Sequence, residues 1–248
     1  MSELKITTER RPENTPPQHV LDLEPGSTAD DWHRHSNGGG WVYRTAWVAE
    51  TAYVGPNAVV YDNAMVFMHA RVFGNAEISD IAQVFEHARV YGNAKICGSA
   101  CVLGHATVFG NAEISDIAQV FENARVYGNA KVSGNAWVRG SALVYDNAKV
   151  FGRATICEKA QVYGSAVVCG DAKVGGSARV FENAKVGGSA SVCDETRVHG
   201  HAVVCGEARV CEHARVYGNA KVGGLAVVGD SERVFENAEV GGFYGVIE

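Results

Sequence analysis

No stretch of this chain approaches the roughly eighteen apolar residues of a membrane span, which argues against a membrane partner. Its start, Met1-Ser2-Glu3-Leu4-Lys5, lacks the apolar region of a signal peptide, so a cytoplasmic location is expected. Positive charge is also in short supply. The 22 Lys and Arg residues face 28 Asp and Glu, and the net charge of −6 argues against general nucleic-acid binding. Interruptions are missing as well: from Val42 to Val246 a valine or isoleucine returns at every sixth position, 35 slots with no insertion.

The slot two residues before each aliphatic repeats too. From Ala46 to Ala238 it holds alanine in 31 of 33 cases, with Thr196 and Glu232 the exceptions. A small and a branched apolar residue at i and i+2, with a polar residue between them, is strand periodicity with one face inward. The Gly, Asp or Glu and the Asn, Ser or His that precede the alanine are turn formers. Each hexad therefore reads as one short strand and one corner. It cannot bury its apolar pair alone and must stack on copies of itself, which predicts a solenoid.

A second period counts the hexads per coil. The residue after every third aliphatic reads Gly55, Phe73, Tyr91, Phe109, Tyr127, Tyr145, Tyr163, Phe181, His199, Tyr217, Phe235, nine of eleven aromatic. Only a coil of three hexads places those rings above one another. With coils about 4.8 Å apart, roughly twelve coils give a rod on the order of 55 Å long. The expected fold class is all-β: a single-stranded parallel β-helix over residues 40–248, preceded by an irregular cap over 1–39.

The run Gly-Asn-Ala-x-Val resembles the hexapeptide-repeat superfamily of trimeric acyltransferases and gamma-class carbonic anhydrases. More closely, Gly38-Gly39-Gly40-Trp41-Val42, Ala46-Trp47-Val48 and the YDNA, VFGNA and VYGNA units resemble YdcK-like and prophage hexapeptide-repeat proteins. The resemblance spans residues 38–248 and implies a left-handed coil; the general rule for parallel crossovers favours the opposite hand. Family members differ in what they do, so it settles no activity.

In the cap, Arg11-Pro12, Pro16-Pro17 and Glu24-Pro25-Gly26 mark irregular chain. Ser27 with Asp30 is expected to cap one short helix through Trp32 and His35, and the segment is expected to cover the first coil, whose edge is otherwise unpaired. At the other end Phe243 and Tyr244 place bulk where the register wants a small residue, which would close the rod.

Two groups of outward residues stand out. Arg71, Arg89, Arg125, Arg179, Arg197, Arg215 and Arg233 share one column beside the aromatic stack that contains Tyr91, Tyr127, Tyr145 and Tyr163. Such a stripe suits an anionic polymer or a partner protein. Five of the arginines have an acid three residues earlier, at Glu86, Glu122, Asp194, Glu212 and Asp230, so partial neutralisation is the default expectation. The second group surrounds the two alanine-slot exceptions: Cys193, Glu195, Cys211, His213 and Glu232. An inward glutamate among cysteine and histidine would suit a cation; the alternative, which is preferred, is that the helix frays there and Glu232 turns to solvent.

Neither metal nor cofactor is expected. His69, His87 and His105 fall in one column, but that slot holds Asn123, Ser141 and Ser177 elsewhere, and three ligands in a straight stack converge poorly on a tetrahedral ion. The seven cysteines read as thiols. Cys193 and Cys211 lie about one coil apart, yet parallel stacking points both side chains the same way and disfavours a bridge.

The expected role is a non-enzymatic structural or protein-interaction rod, phage-related by resemblance. The alternatives are an acyltransferase-like enzyme acting at subunit interfaces or a metal enzyme of the gamma-carbonic-anhydrase type. The uninterrupted repeat lacks the loops that build acyl-donor sites, and no histidine triplet has the carbonic-anhydrase arrangement. Outward columns of Arg, Lys and Glu, in place of Thr or Ser arrays, also exclude an ice-binding face. Self-association or a protein partner is expected, with a homotrimer through one flat face as the candidate assembly, although no outward column reads as apolar enough to require it.

Overall fold

The computed structural model describes residues 15–242, so the Val246 slot and the plug expected of Phe243 and Tyr244 lie outside the described residues. From β2 (Trp41–Tyr43) onward every hexad forms a short strand that pairs with the strand three hexads later. The result is an all-β parallel solenoid of about eleven turns, against the roughly twelve expected, with three sheets of 13, 11 and 11 strands. The first face starts at β2, the second at β3 (Trp47–Val48) and the third at β4 (Tyr53–Val54).

Register follows the eighteen-residue period without a slip: Val72 pairs with Val90, Val90 with Val108, and so on to Val216 with Val234. The aliphatics and alanines line the lumen, and from Ala52 to Val222 every one of them, with Thr196 in the alanine slot, is fully buried. Burying a valine side chain contributes on the order of 2 kcal/mol. Each coil adds three such residues, and alanine occupies the remaining space because a larger side chain would collide across so narrow an interior.

The backbone polar groups are paired coil to coil. Arg71 N–H donates to Ala88 O at 2.9 Å, Phe73 to Val90 O at 3.0 Å and Asn75 to Gly92 O at 2.7 Å, and each hexad repeats this set. From Asp62 onward the corner residue of each hexad sits in the left-handed region, and its amide has no backbone acceptor. Glycine takes this corner at many coils, where it adopts positive φ without a Cβ; one added to Gly110 (φ 74°) would lie 3.0 Å from Gly128 N. Elsewhere the corner is an acid. Twelve of the thirteen non-glycine residues at positive φ are Asp or Glu, and their carboxylates explain why. Asp80 accepts the corner amide of Gly98 at 2.7 Å, Glu122 that of Gly140 at 2.7 Å, and Asp194 that of Glu212 at 3.0 Å. Each such bond offsets the left-handed strain by satisfying the orphan donor of the next coil.

The N-terminal segment imitates a coil. Glu24 Oε1 accepts the Asp62 amide at 3.1 Å, the bond that a corner acid one coil below would make. The β1 strand (Trp32–Arg34) pairs antiparallel with β2 and covers the edge of the first face, while Gly40 N–H donates to Val54 O and Val54 N–H to Asn37 O along the third. Val20, Trp32, Trp41 and Val59 form a small second core beneath it. The helix expected between Ser27 and His35 is corrected. Among the described residues helical chain is confined to one turn at Gln18–Leu21 and a 3-10 turn at Ala29–Asp31, and Trp32–Arg34 is strand. Thr28 and Asp31 form the capping box; Ser27 instead accepts the Trp32 indole N–H at 3.1 Å.

Candidate interaction faces

Side chains outside the lumen stack in columns, and the three faces differ in chemistry. On the first, charges alternate from Glu77 to Lys131, with Lys95 reaching Glu77 at 2.8 Å and Lys131 reaching Glu113 at 2.5 Å; Lys149 then follows Lys131 in register, valines separate the later lysines, and Lys221 reaches Glu239 at 2.8 Å.

The third face carries the arginine column. Arg71 lies in register with Arg89, and Arg179, Arg197, Arg215 and Arg233 occupy four consecutive coils. The acids three residues upstream form no direct ion pair with the arginines among the described residues. Asp194 and Glu212 turn to the corner amides of Glu212 and Asp230, Glu122 to that of Gly140, and no salt bridge joins any of the seven arginines to a carboxylate among the described residues. Upstream, Arg71 sits over Tyr53 at 5.2 Å and Arg125 over Phe109 at 5.6 Å, within cation–π range.

Beside the arginines the aromatic column forms one continuous stack from Phe73 to Phe235. Tyr91, Phe109 and Tyr127 lie 5.0 and 4.8 Å apart, Tyr145 and Tyr163 4.8 Å, with interplanar angles of 3–7° for these pairs. Ring faces are therefore spent on one another, and edges and hydroxyls face outward. Burial, with Tyr163 and Tyr127 alongside, pushes the Tyr145 phenol up to about 12. At the corner beyond, Asn75, Asn93, Asn111, Asn129 and Asn147 form an amide ladder at 2.9–3.1 Å.

On the second face no single column is apolar throughout, but exposed apolar residues from several columns gather on one surface. Its mid-strand residues over seven coils are Trp47, Met65, Gln83, Cys101, Gln119, Trp137 and Thr155, all uncharged and in register. Phe67 stacks on Phe85 at 4.7 Å along the same face. Ile81 and Ile117 border it on one side and Met68 on the other. Trp47 is 54 %, Ile81 53 %, Met68 50 %, Ile117 50 % and Trp137 41 % exposed. The sequence contains these residues, but they belong to four different slots of the hexad, and only the corner geometry shows that they share a surface.

The residues around the alanine-slot exceptions stack on successive coils without converging. Thr196 is fully buried and donates its hydroxyl to Cys193 O at 2.6 Å, so threonine fits the lumen by closing its own turn. Glu232 is exposed, and its carboxylate accepts the Gly229 amide at 3.2 Å. Glu195 faces His213 at 3.5 Å on the outside of the corner, while Cys193 donates to Asp194 at 3.4 Å. Burial first, then Asp194, pushes the Cys193 thiol up to about 11, and burial raises Cys211 also. These thiols are poor ligands and poor nucleophiles near neutral pH. His69, His87 and His105 stack face to face at 5.4 and 5.0 Å. Among the described residues no group of three or more His, Cys, Asp or Glu side chains is placed to hold a metal, and all seven cysteines are unpaired.

Fold and columns together define a β-solenoid repeat protein. Its repeat is similar to that of a known family: the YdcK beta solenoid repeat matches residues 124–140, the hexads around Arg125 and Trp137. No curated protein matches the chain.

Proposed function

We propose that the chain is a non-enzymatic interaction rod that associates with a second copy of itself through the second face. The observation that carries this reading is the segregation of chemistry among the faces. Face-to-face contact of the first or third face with its own copy would bury columns of Lys or Arg against like charge, which costs far more than it returns. The second face buries tryptophan, phenylalanine, isoleucine and methionine with no charge in its mid-strand column from Trp47 to Thr155, a composition typical of an interface centre. A straight ladder also meets its own image at every coil, as closed symmetric oligomers require.

No described helix is long and apolar enough to cross a membrane, and seven unpaired thiols favour a reducing compartment such as the cytoplasm. A phage-associated setting rests on the sequence resemblance alone. The test is size-exclusion chromatography with light scattering. The wild-type chain should elute as an oligomer whose mass gives the copy number, and Trp47→Lys/Trp137→Lys should elute as a monomer with unchanged circular dichroism. A monomeric wild type, or an oligomer indifferent to both lysines, defeats the reading.

A further inference from the structure

On the first face Glu77, Lys95, Glu113 and Lys131 alternate in sign on consecutive coils, and the two lysines pair with Glu77 and Glu113. The third face does the opposite from Arg179 to Arg233. Four guanidinium groups follow one another at the coil spacing, about 4.8 Å, and like charges directly opposite on paired strands are destabilising. The corner acids Asp194 and Glu212 do not relieve this, because their carboxylates point along the axis to the next corner amide. The counter-charge must come from outside the chain.

The flanks of the stripe describe what brings it. On one side stand the rings of Tyr163, Phe181, His199, Tyr217 and Phe235, stacked on each other at 4.7–5.4 Å. Apart from the outer face of Phe235 at the end of the stack, the ring faces are covered by one another, so there is no platform for successive nucleobases, which bind single-strand sites chiefly by stacking. On the other side run carboxylates, with Glu195 exposed and Asp194, Glu212 and Asp230 along the corner. They repel a polymer that offers nothing but anionic groups, yet accept hydrogen bonds from hydroxyl groups. Where the two ladders meet, a hollow of about 190 Å³ is lined by Ser177, Arg179, Glu195 and Arg197. It offers two guanidinium groups for a carboxylate, and a carboxylate and a hydroxyl for ring hydroxyls. A polymer that presents acid groups and hydroxyls in alternation satisfies both ladders at once.

We propose that the C-terminal half of the third face binds an acidic polysaccharide of the uronate class, with Arg179, Arg197 and Arg215 holding sugar carboxylates and Glu195 accepting a sugar hydroxyl. Arginine suits the first task because its planar fork pairs with a carboxylate through two bonds.

The test is affinity electrophoresis and calorimetry of the full chain with polygalacturonate, dextran and an oligothymidylate, at low and high salt. Polygalacturonate should bind, with affinity that falls as salt rises, and neutral dextran should not. Arg197→Gln/Arg215→Gln should weaken binding at least tenfold, whereas Arg71→Gln/Arg89→Gln, which removes the same charge from the other end of the stripe, should leave it within twofold. Glu195→Ala separates this site from a merely basic surface. Loss of an acid strengthens binding to any polyanion through charge alone, so weaker binding supports the proposal and tighter binding overturns it. Oligothymidylate binding as strong as polygalacturonate, or no polygalacturonate binding at all, overturns it too. Unchanged near-ultraviolet circular dichroism of the ring stack checks that each variant is folded, and repeating the titration on Trp47→Lys/Trp137→Lys keeps the result independent of self-association.

Discussion

A single corner carboxylate performs two tasks, and Asp194 shows how they are linked. It holds a left-handed backbone angle (φ 61°) and accepts the Glu212 amide, which draws its acidity below the ordinary 3.8, with a smaller contribution from the Cys193 thiol. A carboxylate with a depressed folded pKa contributes stability that is present above the unfolded value and disappears as pH falls through the folded one. Asp194→Asn keeps an acceptor oxygen but loses the charge. It should therefore be less stable than wild type at neutral pH, and the gap should close as pH drops below 3.8, read by urea unfolding at several pH values. A difference that persists unchanged into strong acid would remove the charge from the explanation. Glu24, which makes the same bond from the cap, has the opposite sign. Burial first, then its hydrogen bond and charge interaction with the Asp62 side chain, raises its pKa above 4.5. Its contribution is fullest in acid and wanes as pH rises through the raised value, so the cap and the shaft respond to acid in opposite directions.

Columns are the next level of order, and the aromatic column has a measurable signature. Tyr145 lies between Tyr127 and Tyr163 at 4.9 and 4.8 Å, nearly parallel to both, and its phenol is pushed up to about 12. A raised phenol contributes stability below its ordinary 10 and loses it as pH rises through the folded value. Alkaline titration followed by ultraviolet absorbance should show a late phenolate step that Tyr145→Phe removes. The same variant, with no proton to lose, should unfold at higher pH than wild type; identical alkaline midpoints would sink the argument. This column was legible in the sequence because a period of eighteen needs only counting. Val42 to Val240, the buried alanines and the stack from Phe73 to Phe235 follow from the same arithmetic. What periodicity could not convey is direction. Glu122 and Asp194 precede an arginine by three positions, which reads as an ion pair, but a left-handed corner sends the carboxylate along the axis. Trp47, Met68, Ile81 and Phe85 lie in separate slots, so no single column announced the apolar face. Glu232, by contrast, occupies an inward slot by count, and its side chain turns to solvent as the preferred reading of that exception expected.

For the molecule as a whole, the controlling problem is that a parallel solenoid is a ladder with two ends, each a row of unpaired strand edges. The cap answers it at one end by supplying what a preceding coil would: β1 along the first face, Gly40 and Asn37 along the third, and Glu24 at the corner amide of Asp62. Trp32 packs on Tyr43 at 4.9 Å, and Arg34 lies 3.8 Å from the Trp41 ring, so the segment is fastened by burial as well as by backbone bonds. At the far end Leu225 is 77 % and Val227 63 % exposed. Among the described residues every coil has the same period and nearly the same cross-section, so one shaft's last described coil matches the edge of another's first, and the cap's bulk stands against their stacking. Such a contact is head-to-tail and does not close, which makes filaments rather than oligomers of fixed size. Deleting residues 1–40 should therefore produce concentration-dependent fibres about one shaft wide, visible by electron microscopy and by rising light scattering. The full-length chain at the same concentration should give none. The lysines at Trp47 and Trp137 that abolish lateral association should leave this end-to-end growth intact, because it runs through backbone edges and not through the second face. A truncated chain that stays dispersed would mean that the cap's strand and carboxylate are ornaments on an end already closed by the coil itself.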